Sequence, residues 1–110
     1  MSNPQSASTA SFRVDRFVVP SQALEPFMAR LRVTQRLLDE REGCRQNLVL
    51  LGAPDGETIG VVTIVEWASG DAMRAARLAM QAHYAREGFD PAAFIQQLGI
   101  RADMAAYQPA

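Results

Sequence analysis

Thr58–Ser69 (TIGVVTIVEWAS) is a long β-branched run that closes on Glu66 and Trp67. Side chains alternate between the two faces of a strand, so a half-exposed strand carries one polar set. Here one set reads Ile59, Val61, Thr63, Val65, Trp67 and the other Gly60, Val62, Ile64, Glu66. Both sets are largely apolar, which predicts a strand covered on both faces.

The other elements follow from the same kind of pattern. Phe12 to Val19 alternates as a first strand and ends at Pro20-Ser21. Ser21 is the expected N-cap of a helix running to about Arg41, with Pro26 disturbing its first turn. Leu24, Phe27, Met28, Leu31 and Leu38 keep helical spacing, and the polar pair Thr34 and Gln35 interrupts that stripe. Gly43 is the expected left-handed stop. Arg45 to Leu51 (RQNLVLL) reads as a second strand, and the turn residues of Gly52–Gly56 join it to the third as a hairpin. Ser69 caps a second long helix to about Glu87, with Asp71 in its first turn and Gly88 after its end. Asp90-Pro91 restarts a short helix to Leu98, Gly99 closes it, and Arg101 to Tyr107 is a last strand before Pro109.

The order is β-α-β-β-α-(α)-β, that of a ferredoxin-like α+β fold with a four-stranded antiparallel sheet. Right-handed crossovers place both long helices on one face of that sheet. Two helices cover one face only, and the simplest cover for the other is the same face of a second copy. A homodimer built sheet against sheet is therefore expected.

Composition narrows the chemistry. A chain of 110 residues, 48% hydrophobic and 21% charged, is expected to be one domain with a modest core. Residues 1–11 lack the basic start and apolar core of a secretory signal, and no later run reaches transmembrane length. They are expected to be a disordered tail on a cytoplasmic protein, ahead of a single domain over residues 12–108. A net charge of -1 offers no electrostatic footprint for nucleic acid or an anionic membrane. All 11 basic residues are Arg, which excludes Schiff-base chemistry on a lysine. One cysteine and one histidine exclude an intrachain disulfide, Cys-based zinc sites and multi-His metal sites. Neither a P-loop nor a dinucleotide glycine fingerprint is present.

The order of elements, the VVTIVEW-x-S segment leading into an Ala-rich helix, and the ending GFDP…LGIRADMAAYQP resemble the antibiotic biosynthesis monooxygenase family. The likeness spans Phe12 to Gln108 and is strongest over VVTIVEW-x-S. It implies the dimeric α+β barrel. It also implies a cavity between sheet and helices in which some members oxidise polycyclic phenols without metal or flavin, so no cofactor is expected. Other members degrade haem or have no known reaction. The family's tryptophan at the end of the third strand matches Trp67, which the resemblance places in the cavity. The first-strand asparagine of the phenol oxygenases and haem degraders has no match, because Asp15 and Arg16 stand there. His83 lies on the same helix as the haem-ligating histidine of that branch but farther from the tryptophan, so the haem role is not carried over.

Few residues can carry chemistry. His83 is the candidate catalytic base, because imidazole alone titrates near neutrality unperturbed, and Asp15 is the second candidate. Trp67 can stack on a planar ligand or simply fill the core. Tyr84 lies near the stripe of Met73, Ala76 and Met80. Thr34, Gln35 and Asn47 are polar where the pattern calls for burial, and a ligand pocket is one place where such groups find partners. Arg16 and Glu66 share a sheet face and are expected to pair at the dimer seam. Cys44 reads as an inert thiol and Met28, Met73, Met80 and Met104 as core fillers. Two function classes fit: a cofactor-free oxygenase acting on an aromatic or polyketide-like molecule, and a dimeric module that binds a hydrophobic small molecule without turning it over.

Overall fold

The computed structural model describes residues 9–110. Its elements are β1 (Ser11–Pro20), α1 (Leu24–Asp39), β2 (Cys44–Leu51), β3 (Thr58–Trp67), α2 (Gly70–Glu87), α3 (Pro91–Gln97) and β4 (Arg101–Tyr107). The strands form one four-stranded sheet in the order β2-β3-β1-β4, antiparallel throughout. This is the ferredoxin-like arrangement expected from the sequence. No helix is long and apolar enough to cross a membrane among the described residues.

Local chemistry explains most element ends. Ser69 caps α2 by accepting from the Ala72 N–H, and Asp90 caps α3 by accepting from the Ala93 N–H. Gly88 follows α2 in the left-handed region at φ 72°. The start of α1 departs from expectation, because Ser21 opens a short 3-10 turn (Ser21–Ala23) and makes no side-chain cap. Pro26 then falls in the first turn of α1, where its missing N–H has no helical acceptor to lose. The helix also stops two residues short of Arg41.

The expected tail is corrected at its inner end. Ser11 is already in β1 and is 3% exposed, Ala10 is buried, and the Thr9 hydroxyl donates to Ala68 O at 2.8 Å. Ser11 pairs with Trp67 at the end of β3 and Thr9 bonds the residue after it, so these residues are tied to the sheet and do not belong to a free tail. The expectation for residues 1–8 lies outside the described residues.

Gly43 sits at φ 87°, and a Cβ there would come 2.7 Å from the Ala72 Cβ. Gly43→Ala combines left-handed backbone strain with that clash. It is expected to lower unfolding free energy by about 2 kcal/mol, read by urea denaturation.

One sheet face carries the helices. Two clusters occupy its ends. At one end Phe17, Val19, Phe27, Ile59, Val61 and Ile100 pack with Phe94 and Ile95 of α3; Phe17 and Phe27 meet edge to face at 4.9 Å. At the other end Val65, Trp67 and Ala76 pack with Leu38, Ala72 and Met73. The middle of this face, where Asp15 lies opposite Thr63 on one side and Met104 on the other, belongs to neither cluster.

The opposite face is uncovered in the single chain. It presents Phe12, Val14 and Val18 of β1, Val62 and Ile64 of β3, Leu48 and Leu50 of β2 and Tyr107 of β4, with Leu50 48% and Tyr107 47% exposed. Arg16 shares this face but lies opposite Val62 and Asp103, whereas Glu66 lies opposite Phe12 and Gln46. Four residues of strand separate the two, so the expected Arg16–Glu66 pair is not made within one chain.

Candidate functional site

Between the two core clusters the helices stand off the sheet and leave a half-open cavity of about 750 Å³. That is within the usual range for small-molecule sites, roughly 300–1,000 Å³. Its floor is Arg13, Asp15, Thr63 and Val65, flanked by Asn47 and Val49 of β2 and Met104 of β4. Its roof is α1 (Phe27, Arg30, Leu31, Thr34, Leu38) and α2 (Met73, Ala76, Met80, Tyr84). Phe89 and the α3 residues Phe94 and Ile95 close one end, and Trp67 lies toward the other. The lining is mostly apolar with a few placed polar groups.

Asp15 is the partly buried acid of this floor. Its side chain is 18% exposed, and Arg13 Nε donates to its Oδ1 at 2.8 Å. Burial pushes the Asp15 carboxyl above the ordinary carboxylate value, and the Arg13 guanidinium pulls it back only in part. Desolvation therefore leaves a carboxylate that holds a proton more readily than one in water.

Thr34 and Tyr84 meet across the roof, with their hydroxyls 3.1 Å apart. Gln35 and Asn47 also line the cavity, but their amide N–H groups are committed to the scaffold. Gln35 donates to Asn47 O at 3.0 Å, and Asn47 donates to Gln35 O and to Asp39 Oδ1, both at 2.9 Å. This exchange pins α1 to β2. Asn47→Ala is expected to cost about 1–2 kcal/mol in urea unfolding through lost hydrogen bonds at that seam. Trp67 is 3% exposed, so it is at once a core residue and a cavity wall.

His83 is the correction. It is absent from this cavity and instead borders a smaller groove of about 230 Å³ beside Leu37, Glu40, Arg41 and Arg86. Its Nε2 lies 3.6 Å from Glu87 Oε1, beyond hydrogen-bond range, and its side chain is 36% exposed. Successive helical residues turn by about 100°, so the step from Tyr84 to His83 carries the side chain off the cavity-facing stripe. Met104 is corrected as well: it is 44% exposed and lines the cavity from β4 rather than filling the core.

Sequence reasoning missed Arg13 and Arg30. Arg13 shares its parity with Asp15 and Phe17, which places it on the helix-covered face; that parity was legible. Arg30 follows Phe27 by three residues, the spacing of a shared helix face. Its guanidinium binds both carboxylate oxygens of Glu87 at 2.7 Å and lies 3.5 Å over the Phe89 ring. Its charge-assisted hydrogen bonds hold the Glu87 carboxyl below the usual range. Arg30 thus fastens α1 to the end of α2 beside the cavity. Cys44 is partly buried, and burial with the nearby Asp39 charge raises its thiol pKa, as expected of an inert thiol. No group of three or more His, Cys, Asp and Glu side chains converges as a metal-ligand set among the described residues.

No family model and no curated protein matches the chain. Solved structures do. A candidate monooxygenase from Shewanella loihica superposes with a TM-score of 0.72 at 15% identity, over 94% of this chain and 97% of that one. A variant of SnoaB, a cofactor-independent oxygenase from Streptomyces nogalater, gives 0.66 at 22% identity, over 92% and 93% of the two chains. A candidate antibiotic biosynthesis monooxygenase from Deinococcus radiodurans gives 0.64 at 12% identity, over 91% and 92%. At such identities the likeness speaks to architecture, and on that level the resemblance read from VVTIVEW-x-S and the element order holds: this chain has the ferredoxin-like α+β fold that these oxygenase structures share.

Proposed function

We propose that this protein is a cofactor-independent monooxygenase that acts on an aromatic or polyketide-like small molecule in the cavity between sheet and helices. The observation that carries the reading is a partly buried carboxylate, Asp15, on the floor of a largely apolar cavity of about 750 Å³. Such a site suits a substrate that supplies its own reactivity. A phenol or enolisable ketone becomes electron-rich when it loses a proton, and its anion reacts with dioxygen directly. Asp15 takes the proton, Thr34 and Tyr84 orient ring oxygens, Trp67 presents a flat wall, and the apolar lining keeps water away. For a ring methylene the balance is R₂CH₂ + O₂ → R₂C=O + H₂O. The substrate provides all four electrons, and one oxygen atom leaves as water.

His83 has no part in this scheme, because it does not line the cavity. For the same reason a haem placed there would find no imidazole ligand from the α2 helix of its own chain. The uncovered apolar sheet face completes the proposal as the seam of a homodimer, since a face of this composition is rarely left in water.

Oxygen uptake over a panel of anthrones and dihydroxynaphthalenes, with chelator present, tests the reading. Uptake above the uncatalysed rate with at least one of them is the expected result. Saturable binding without uptake across the panel would replace the oxygenase with a binding module.

A further inference from the structure

The Arg13–Asp15 pair is incompletely used. Arg13 donates from Nε to Asp15 Oδ1, a single contact. Among the described residues nothing else bonds Arg13 Nη1 or Nη2, and nothing bonds Asp15 Oδ2. Among the described residues Arg30 Nε is the fully buried side-chain polar atom without a partner; Asp15 Oδ2 is not fully buried, and Asp15 lines the cavity. A guanidinium has five N–H donors in a fixed fork, and this one has committed one of them. Two further cations border the same cavity. Arg30 is bound on both Nη atoms by Glu87. Arg77 is exposed on α2, across the cavity from the sheet floor.

We propose that Arg13 is the counterion for the substrate, which binds as an oxyanion beside Asp15. This rests on the cavity reading above and adds to it the residue that holds the anion, Arg13. The charge accounting supports it. When the substrate O–H bond breaks, the proton forms an O–H bond on Asp15 Oδ2 and the negative charge moves to the substrate oxygen. Arg13 faces one anion before the transfer and one after it. The net charge of the cavity is unchanged, so a low-dielectric site tolerates the step. Without Arg13 the same transfer would leave a bare oxyanion among apolar walls, which is strongly disfavoured.

The test compares 4-hydroxycoumarin, an acidic enol, with 4-methoxycoumarin, which cannot ionise, by titration calorimetry on the full chain. The wild-type protein is expected to bind the hydroxy compound about 10- to 100-fold more tightly, in line with charge-assisted hydrogen bonding. Binding of the preformed anion is expected to take up a proton, visible as a dependence of the heat on buffer ionisation enthalpy. Arg13→Leu should abolish the preference, and Arg77→Leu should keep it. Asp15→Asn should also keep it, because the anion's partner remains. Equal affinities for the two coumarins in the wild type would overturn the proposal, as would a preference lost in Arg77→Leu but kept in Arg13→Leu. Failure here with oxygen uptake intact would leave the oxygenase standing; discrimination without uptake would leave the anion site and remove the oxygenase.

Discussion

Asp15→Asn is expected to lower turnover of a phenolic or enolisable substrate by about 10²- to 10⁴-fold, the usual worth of a general base. His83→Ala is expected to change it by less than about twofold. The contrast follows from placement. Asp15 lies on the cavity floor with its side chain 18% exposed, whereas His83 borders a separate groove. The asparagine variant should fold, because its Oδ1 can still accept the Arg13 N–H and a buried charge is removed. A raised native pKa means that the ionised Asp15 works against folding, so its contribution to stability is greatest at low pH and is lost as pH rises through the native value. The catalytic consequence has the opposite sense. The base must be deprotonated, so kcat/KM should fall on the acid side, with a midpoint above the ordinary carboxylate range because burial has raised that pKa. Asp15→Asn should erase that acid limb. A pH profile with its midpoint near neutrality that disappears in His83→Ala would reassign the base.

The second large effect concerns the open sheet face. Ile64 lies opposite Val14 and Leu48 near the middle of that face. In a two-fold dimer a substitution there occurs twice across the seam, and each buried unpaired Arg costs about 3–5 kcal/mol. Ile64→Arg is therefore expected to weaken the dimer by at least about 10⁴-fold, giving a monomer by analytical ultracentrifugation at concentrations where the wild type is dimeric. Far-UV circular dichroism should be unchanged, since Ile64 points away from both core clusters. A wild-type chain that sediments as a monomer would leave the apolar face unexplained and remove the dimer from the proposal.

Much of this was legible in the sequence because the relevant signals are local. Ser69 and Asp90 both cap the helices they were expected to start, and Gly88 ends α2 in the left-handed region. The two apolar sets of β3 predicted cover on both faces; the helices supply it on one, and the other is uncovered in the single chain. Thr34, Gln35, Asn47, Asp15, Tyr84 and Trp67 all reach the cavity, because polar breaks in a buried stripe mark where packing gives way to a hollow. What the sequence could not resolve was direction within a helix and commitment of donors. His83 and Tyr84 are neighbours in sequence, yet only Tyr84 faces the cavity. Gln35 and Asn47 face it too, but their N–H groups tie α1 to β2, a commitment that exists only in the folded chain. Arg30 is a comparable case. Its spacing puts it on the right face of α1, while its ion pair with Glu87, 57 residues away, depends on tertiary structure.

On the proposed mechanism the cavity turns a weakly acidic substrate into its anion before oxygen reacts. Stopped-flow absorption with anthrone tests this most directly, mixing protein and ligand without oxygen and then admitting it. The spectrum of the bound enolate is expected in the anaerobic phase, followed by the quinone once oxygen enters, with both phases absent in Asp15→Asn and present in His83→Ala. A ligand that binds but keeps its neutral spectrum, and stays unchanged when oxygen is admitted, would contradict it.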